Sequence, residues 1–575
     1  MQSLWESWDL NNKFRKIKEF DKRTSFLQIC FVIFGVSLLI HLFINQIVDL
    51  KHYRLKAKKQ RTSKNFVMRG DIYDRNGIKL AADKITYDVY AHPANFKKTP
   101  EEMAELLAPH LKMSKSELIQ KLSKKSAVIT LKKGIDKTDA EAIKKLGLRT
   151  ALSMGKKNTR VYPQEDMAPH VLGYYNFDAD VASGVELTAK EQLEYVEKNT
   201  PVERTPDGNI IYSVTTDPSS TSGQLKGKNI TLTIDTALQH ICEEELYKMI
   251  YKKQALRGTV IVMDPKTGEI LAYAVYPHYN PNKYREASQA QIKNWTLTDV
   301  LPPGSTFKII TVSSAMALDK INPNTKILDT GKIKIGWWDI KNYDYNKKPY
   351  PGWISLQYLF EHSSNVASIK VAQLMTPDEF HGMLKKFGIG TKTGIDLPGE
   401  SIGLLPKPSK WDLATHASMG YGYGASVTPI QMISAISALA NNGVRITPHI
   451  IKYSPEEAET KLTRTEVMSA DKAKAITNLL VGSVENSHAP IKLDRYKIAA
   501  KTGTSRKPNE NSAGYSNKLY TSIIGYLPAS DPKLLIYVLV DSPSGGGNWG
   551  STVAAPIFRE VAQQSARILN LKPDK

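Results

Sequence analysis

An uncharged, apolar segment near the amino terminus most strongly limits how this chain can fold. Residues 24–48 contain no Asp, Glu, Lys or Arg. A helix that crosses the core of a bilayer needs about 20 such residues. A cleavable signal peptide would have a shorter apolar core and a small-residue cleavage site, whereas Asn-Gln-Ile-Val-Asp at residues 45–49 is bulky. The segment predicts an uncleaved transmembrane helix, and a buried core helix is the alternative.

This predicted span divides the chain into a short tail and a long remainder. Residues 1–23 are polar and rich in Lys and Arg, and we interpret them as a cytoplasmic tail. Basic residues are also frequent between residues 51 and 61, which opposes a simple positive-inside assignment. Long domains, however, translocate largely regardless of charge. We therefore expect a single-pass protein of the cell membrane whose large carboxy-terminal part is extracytoplasmic.

Composition and charge exclude several classes of protein. The 575-residue chain is 41% hydrophobic, which is typical of globular domains, and its formal net charge is +21. That charge favours anionic surroundings, but the lysines are scattered, so a nucleic-acid partner is not expected. The two cysteines are Cys30, which lies in the apolar segment, and Cys242. Neither a structural disulfide nor a cysteine metal site is expected, and the sequence predicts no cofactor.

Residues 49–227 are interpreted as a lysine-rich domain that mixes helices and strands. The Asn76-Gly77 turn has predicted strands on either side. Residues 101–111, 115–122 and 139–146 predict short amphipathic helices, and residues 170–174 predict a strand and a turn. No plausible catalytic groups are paired here, so we interpret this domain as a scaffold or pedestal. Residues 215–228 are rich in Ser, Thr, Gly and Lys and are typical of a domain boundary.

Residues 228–575 are predicted to form a second domain of the α+β class. It opens with an alternating strand over residues 229–235, and a turn at residues 265–268 joins two β-rich runs, 258–264 and 269–276. Residues 497–500, 521–527 and 534–540 predict further strands, and residues 553–569 predict a closing helix. Strands at both ends with mostly helical sequence between them indicate an antiparallel sheet built from the two ends and flanked by helices.

The turn that precedes one central helix carries a candidate nucleophile. Pro302-Pro303-Gly304 cannot continue a helix or a strand, and the residues that follow have helical periodicity. Ser305 and Lys308 therefore lie on one face of the first helical turns, where their side chains can meet. A serine needs an adjacent base, and a lysine can serve only if its pKa is lowered. The tetrapeptide alone is also compatible with a helix-capping serine and an exposed lysine.

Two further stretches provide candidate partners for Ser305. Ser363 and Asn365 lie between two predicted helices, where a loop can direct both side chains inward. Lys501-Thr502-Gly503 follows an apolar strand, so that a second cation stands at a strand end. We expect Gly503 to let substrate backbone approach closely.

Thr504 directly follows Lys501-Thr502-Gly503. The hydroxyls of Thr502 and Thr504 can together bind a carboxylate. A second copy of the tripeptide, Lys392-Thr393-Gly394, lies in a glycine-rich loop with no strand before it. We interpret that copy as unrelated to the site.

These three motifs together resemble a known family. A Ser-x-x-Lys, a Ser-x-Asn and a Lys-Thr-Gly in this order form the motif set of penicillin-binding proteins and class A β-lactamases. Residues 69–77, Arg-Gly-Asp-Ile-Tyr-Asp-Arg-Asn-Gly, resemble the first motif of class B penicillin-binding proteins, and residues 160–163, 170–174 and 184–186 are similar to their later pedestal motifs. Residues 187–198 depart from the family pattern because they are rich in Glu and Lys.

The resemblance implies a fold. It implies a serine β-lactamase-like transpeptidase domain, in which an antiparallel five-stranded sheet is flanked by helices, after an elongated pedestal and one transmembrane helix. The implied limits are residues 1–23 for the tail, 24–48 for the span, 49–227 for the pedestal and 228–575 for the transpeptidase domain.

The resemblance also implies an activity, that of a peptidoglycan D,D-transpeptidase. Ser305 would attack the penultimate D-Ala of a stem peptide and Lys308 would accept its proton, with Ser363, Asn365 and Lys501 relaying protons. Backbone N–H groups of Ser305 and Thr504 would bind the oxyanion, and β-lactams would acylate Ser305. Partners in glycosyltransferase, divisome or elongasome assemblies are also implied.

Other functions remain open from sequence alone. The same site could use water in place of an amine, as in a D,D-carboxypeptidase or a β-lactamase, although the large pedestal argues against a plain β-lactamase. A non-catalytic β-lactam sensor or a division scaffold is the alternative from another class. A second, glycosyltransferase activity is not expected, because residues 49–227 offer no evident pair of catalytic carboxylates.

Overall fold

The computed structural model describes residues 24, 26–44, 68–194, 203–204, 210–211, 226–346, 350–509, 512 and 514–575. Within the predicted span, helix α1 (Phe26–Phe43) has a mean hydropathy of 2.4, and its large apolar side chains are exposed. By length and composition it could cross a bilayer. The predicted tail, residues 45–48 of the predicted span and most of the predicted boundary at 215–228 lie outside the described residues. Met68–Val196 and Lys226–Lys575 belong to one compact unit.

The remaining helices lie in that unit. They are α2 (Pro100–Leu111), α3 (Lys115–Leu122), α4 (Lys137–Lys145), α5 (Pro169–Leu172), α6 (Gly184–Thr188), α7 (Lys190–Leu193), α8 (Thr236–Lys253), α9 (Gln289–Ile292), α10 (Trp295–Thr298), α11 (Lys308–Ala317), α12 (Leu356–Glu361), α13 (Asn365–Gln373), α14 (Pro377–Lys386), α15 (Leu413–Gly420), α16 (Pro429–Ala440), α17 (Pro455–Lys461), α18 (Ala470–Asn486) and α19 (Ala554–Ile568). Short 3-10 turns cover Pro93–Asn95, Pro281–Glu286, Gly304–Phe307 and Pro408–Lys410.

The strands are mostly short outside two sheets. They are β1 (Ile72–Tyr73), β2 (Lys79–Ala91), β3 (Ile129–Ile135), β4 (Leu152–Val161), β5 (Tyr175–Asn176), β6 (Val181–Ala182), β7 (Glu203–Arg204), β8 (Ile210–Ile211), β9 (Ile230–Thr231), β10 (Arg257–Met263), β11 (Ile270–Tyr276), β12 (Lys326–Asp329), β13 (Lys332–Ile335), β14 (Trp338–Lys341), β15 (Gly352–Ser355), β16 (Val444–Ile446), β17 (Arg464–Glu466), β18 (Ala499–Pro508), β19 (Tyr515–Leu527) and β20 (Leu534–Asp541).

The amino-terminal sheet is centred on β2, which pairs with β1, β3 and β4, all antiparallel. The Asn76-Gly77 turn joins β1 to β2, as the sequence predicts, because Gly77 adopts a φ of +88° that few other residues tolerate. Helices α2 and α3 bury one apolar face each against this sheet, and both begin at a side-chain cap, Thr99 and Ser114 respectively. Their positions agree with the predicted amphipathic helices.

Buried charges fix the base of this sheet. Glu186 accepts from Arg69 Nε at 2.7 Å and from Arg160 Nε at 2.6 Å, and Arg160 also donates to Asp83 at 2.9 Å. All four side chains are almost fully shielded from solvent. A buried charge without a partner would cost several kcal/mol, so these residues stabilise the fold only as a complete set.

Residues 187–198, which depart from the family pattern, include a segment that packs beside the buried charges. Residues 190–193 form α7, and the carbonyl of Leu193 accepts a hydrogen bond of 2.8 Å from Gly70 N. A Cβ at Gly227 would lie 1.7 Å from the same carbonyl oxygen, which explains the glycine.

The central sheet of residues 228–575 has the strand order β11-β10-β20-β19-β18 among the described residues, and each neighbouring pair is antiparallel. The predicted sheet of five antiparallel strands from both ends of the domain is confirmed. Helices α8 and α19 pack on one face. The other face packs against a helical core that includes α11 and α16, whose residues are almost all buried.

Three local predictions were wrong. The strand predicted at residues 170–174 is helix α5, because Pro169 at its first turn favours helical φ. The strand predicted over residues 229–235 is only β9, which pairs in parallel with β1; beyond it, Leu232 forms a single bridge with Ile451 and Asp235 caps α8. The strand predicted to end before Lys501 instead continues to Pro508, because β19 pairs with it along its length.

Candidate active site

The Pro-Pro-Gly turn is clamped between two distant segments. Gly304 has a φ of +57°, and its N–H donates to the carbonyl of Gly422 at 3.0 Å. A Cβ at Gly304 would lie 2.8 Å from the Cβ of Ser505 on β18. The hydroxyl of Ser505 in turn donates to the carbonyl of Pro302 at 2.9 Å. This turn therefore fixes the following residue, Ser305, beside the edge strand β18.

Ser305 and Lys308 differ sharply in exposure. Ser305 lies in the 3-10 turn Gly304–Phe307 and is half-buried, so a ligand can reach it. Lys308 is the first residue of α11 and is fully buried. Burial lowers the pKa of Lys308 well below its ordinary value, the charge of Lys501 lowers it further, and Asp329 opposes both. The sequence alternative of an exposed lysine is therefore excluded.

The amine of Lys308 ends among oxygen atoms of the Ser-x-Asn loop. Its Nζ donates to the carbonyl of Ser363 at 2.6 Å, to Ser363 Oγ at 3.2 Å and to Asn365 Oδ1 at 2.7 Å. Ser363 has a φ of +53°, an uncommon conformation for a non-glycine residue. This backbone conformation lets both the carbonyl and the hydroxyl of Ser363 face the lysine. The structure thus brings the first two motifs into direct contact.

A buried network behind this loop was missed from the sequence. Asp329, at the end of β12, accepts from Ser364 Oγ at 2.6 Å and from Asn342 Nδ2 at 2.9 Å. The amide oxygen of Asn342 accepts from the N–H groups of Asn365 at 2.9 Å and Val366 at 3.1 Å. Asp329 and Asn342 therefore position the loop and the start of α13. Their sequence signal is weak, since an Asp-Thr-Gly turn and a lone Asn are common.

The third motif lies inside strand β18. Lys501 pairs with Ile524 of β19, its side chain is buried, and its Nζ donates to the carbonyl of Thr502 at 2.9 Å. Burial lowers the pKa of Lys501 to about 8. Because Lys501 lowers the pKa of Lys308, the two amines are electrostatic neighbours. Burial thus lowers the pKa of both lysines.

The remaining residues of this motif alternate between the faces of β18. A Cβ at Gly503 would lie 2.6 Å from Ser522 Oγ and 3.0 Å from Thr306 Cγ2. A side chain at this position would press on Ser522 of β19 and on the turn that carries Ser305, a reason for glycine that the sequence did not reveal. Thr502 and Thr504 are half-buried, and Thr504 Oγ1 accepts from Gly550 N at 3.0 Å.

The second Lys-Thr-Gly tripeptide lies elsewhere. Lys392 is exposed, and the N–H and hydroxyl of Thr393 both donate to Glu400 Oε1 at 2.6 Å. These contacts organise a loop.

Taken together, the site offers a reachable hydroxyl, an amine with a low pKa and a second amine that can carry charge. A neutral amine can accept a proton from a serine hydroxyl. A cation and two threonine hydroxyls at the edge of a strand can bind a carboxylate. The arrangement is suited to acyl transfer on a substrate that carries a carboxylate.

Comparisons with known proteins agree with this geometry. Residues 258–563 match the penicillin binding protein transpeptidase domain, and residues 64–232 match the penicillin-binding protein dimerisation domain. The chain is 31% identical to a Neisseria meningitidis protein named probable peptidoglycan D,D-transpeptidase PenA, over 88% of this chain and 85% of that protein. It is 29% identical to stage V sporulation protein D of Bacillus subtilis, over 88% of this chain and 79% of that protein.

A solved structure also matches. Penicillin binding protein 2X from Streptococcus thermophilus superposes with a TM-score of 0.70 and 25% identity, over 89% of this chain and 81% of that structure. The predicted family is confirmed on both sequence and fold. This chain belongs to the class B penicillin-binding protein transpeptidases.

Proposed function

We propose that this protein is a membrane-anchored D,D-transpeptidase that cross-links peptidoglycan through an acyl-enzyme on Ser305. The observation that carries the proposal is the environment of Lys308, a buried amine of lowered pKa in contact with Ser363 and Asn365 and three residues from the half-buried serine. The matching relatives are named for the same reaction.

In the first step, Lys308 accepts the proton of Ser305 as Oγ attacks the carbonyl carbon of the penultimate D-Ala. The new Oγ–C bond forms as the C–N bond to the terminal D-Ala breaks. The departing amine takes a proton from Lys308, and Ser363 relays it. The Nζ of Lys308 lies 3.2 Å from Oγ of Ser363. Burial favours this role because it keeps the Lys308 amine uncharged before the reaction.

The second step reverses the bond changes with a new nucleophile. The amine of a neighbouring stem peptide attacks the ester carbonyl, an N–C bond forms, and the Oγ–C bond breaks. The amine loses its proton through the same relay, and Ser305 regains one. Splitting the reaction into two steps through a covalent intermediate preserves the energy of the broken peptide bond for the cross-link.

Two groups of residues would position the substrate. We assign the oxyanion to the backbone N–H groups of Ser305 and Thr504, one from the turn and one from β18. We assign the terminal carboxylate to the hydroxyls of Thr502 and Thr504 and the charge of Lys501. Gly503 would serve by keeping β18 close to the turn, since any side chain there would meet Thr306.

We further propose the topology and domain limits stated from the sequence. Residues 1–23 would be cytoplasmic, 24–48 would span the cell membrane, 49–227 would form the pedestal and 228–575 the catalytic domain, outside the cytoplasm. The hydropathy of α1 supports the anchor. A glycosyltransferase of the division or elongation machinery is the class of protein partner that the family resemblance suggests.

The test is mass spectrometry after incubation with benzylpenicillin, with Ser305→Ala as the matched control. We expect a long-lived adduct on Ser305 in the wild type and none in the variant. Rapid loss of the adduct would identify a β-lactamase, and no adduct would identify a non-catalytic protein. Incubation with a D-Ala-D-Ala stem peptide and a second stem peptide should release D-Ala and form a dimer. D-Ala release without dimer would identify a carboxypeptidase.

A further inference from the structure

A hairpin beside the candidate site presents two tryptophans to solvent. Strands β13 and β14 pair with Ile335 opposite Trp338, so Gly336 and Trp337 form the tip. The side chain of Trp337 is 95% exposed and that of Trp338 is 70% exposed. Tryptophan is highly buried on average, and a cluster of exposed aromatic surface commonly marks a binding site.

The hairpin is rigidly attached to the element that carries the Ser-x-Asn motif. Ile335 is buried against Ile369 of α13 and Ala417 of α15, and Ile333 and Ile340 pack on the same cluster. Gly336 turns the chain with a φ of +56°. The tryptophans are therefore displayed on a fixed support, which lowers the entropic cost of binding.

The other end of the hairpin contacts the site directly. Asn365 Nδ2 donates to the carbonyl of Lys341, the last residue of β14, at 2.9 Å. Trp338 is three residues away along an extended strand, which corresponds to about 10 Å. An extended stem peptide of about four residues spans roughly 13 Å. The two lengths are similar, and Asn365 contacts both Lys308 and the hairpin, which suits a sugar chain at the far end of a stem peptide bound at Ser305.

Charge on the hairpin agrees with such an occupant. Its strands carry Lys332, Lys334 and Lys341 but one acidic residue, Asp339, which pairs with Lys332 at 3.4 Å. Peptidoglycan strands combine flat, weakly polar sugar faces with the carboxylates of their peptides. Indole rings can stack on the sugar faces, and lysines attract the carboxylates.

We propose that the hairpin β13–β14 is a subsite for the glycan chain of peptidoglycan, with Trp337 and Trp338 stacking on sugar rings. The inference rests on the function proposed above, since it extends the substrate of the same site. Trp337 and Trp338 are specificity residues that recognise the polymer and take no part in the chemistry at Ser305.

The experiment compares the full-length wild type in detergent with the double variant Trp337→Ala/Trp338→Ala. Tyr251→Ala is the matched control, because Tyr251 is an aromatic residue on α8 with a similar exposed fraction of 64%. The probe is purified, uncross-linked glycan strands from which an amidase has removed the peptides, with binding followed by calorimetry. We expect the double variant to bind at least about tenfold more weakly and the Tyr251 variant to match the wild type. A Trp337→Phe/Trp338→Phe variant should recover part of the affinity.

Benzylpenicillin acylation separates this proposal from the previous one. Wild type and double variant should be acylated at rates within about twofold, because the drug carries no glycan. If the wild type is not acylated, the proposed function fails, whatever the glycan result. If the wild type is acylated but does not bind glycan strands, or binds them as well as the double variant does, the subsite is refuted. A double variant that loses binding to anionic lipid vesicles while keeping glycan affinity would assign the hairpin to a membrane surface and also refute it.

Discussion

The two Lys-Thr-Gly tripeptides have the same letters and opposite surroundings. Lys501 lies within a sheet strand, and 4% of it is exposed, whereas Lys392 is exposed in a loop. Gly503 lies in the extended backbone of β18 beside the turn that carries Ser305, whereas Gly394 has a φ of +85° and its N–H donates to Glu400. The same three letters therefore occupy a buried sheet strand in one copy and an exposed loop in the other, and burial lowers the pKa of Lys501.

The largest expected difference between the two copies is at the lysines. Lys501→Ala should slow acylation of Ser305 by benzylpenicillin at least about 100-fold, because it removes the charge that lowers the pKa of Lys308 and that we assign to the substrate carboxylate. Lys392→Ala should change the rate by less than about twofold. Rates can be measured with a fluorescent penicillin under pseudo-first-order conditions. Equal effects of the two substitutions would contradict the assignment.

The second largest difference between the two copies is expected at the glycines. In Gly503→Ala, the added methyl group would lie 2.6 Å from Ser522 Oγ on β19 and 3.0 Å from Thr306 Cγ2, so it would press on the turn that carries Ser305. We expect acylation to fall at least about tenfold, since displacements of about 1 Å have such effects. Gly394→Ala should cost about 1 kcal/mol of unfolding free energy because of its positive φ, with acylation unchanged. Chemical denaturation measures the unfolding free energy of both variants, and the acylation assay measures their rates. Slow acylation in Gly394→Ala would contradict the prediction that this glycine affects stability alone.

The pH dependence of acylation should distinguish the copies as well. Lys501 has a pKa of about 8, so its charge is present below that pH and is lost as the pH rises through it. The wild-type rate should therefore fall by about tenfold between pH 7 and pH 9.5, as the carboxylate loses its partner. Lys392→Ala should keep this alkaline limb, and Lys501→Ala should lack it. A limb near pH 8 that persists without Lys501 would assign it to another group.

The smallest effects are expected at the threonines. Thr502→Ala should slow acylation about fivefold by removing one hydroxyl from the carboxylate site, with little change in stability, because Thr502 is half-buried on the edge strand. Thr393→Ala removes a hydroxyl that donates to Glu400 at 2.6 Å, so it should lower the unfolding free energy by about 1 kcal/mol while acylation stays unchanged. Thermal unfolding and acylation rates measured on both variants would show whether the two effects separate in this way.

The sequence predicted the parts of the fold that depend on local periodicity. Strands at residues 258–276 and 521–540 and the amphipathic helices of the pedestal agree with the structure, because long apolar patterns leave few choices. The lysine of the third motif was expected at a strand end, since only its partner β19 shows that the strand continues. The hairpin β13–β14 was missed because strands of four residues carry too short a pattern.

In the candidate site, too, local motifs could be recognised from the sequence, whereas contacts between distant residues could not. Short motifs were enough to select Ser305, Lys308, Ser363, Asn365 and Lys501. In the structure, Lys308 contacts Ser363 and Asn365, and the charge of Lys501 acts on it. Asp329 and Asn342 could not be chosen, because their role comes from hydrogen bonds across 13 to 35 positions of the chain. The packing role of Gly503 depends on Thr306, which lies close only after folding.

The strand order of the central sheet has a consequence for how the protein is made. β10 pairs on one side with β11, which follows it closely in the chain, and on the other side with β20, the last strand of the sheet to be synthesised. Until β20 leaves the ribosome, one edge of β10 lacks its partner, and unpaired edges favour aggregation. A chain truncated before Ala499 would have neither the strand of Lys501 nor the two strands that connect it to β10. We therefore expect premature stop codons late in the gene to yield insoluble protein and no partially active fragment.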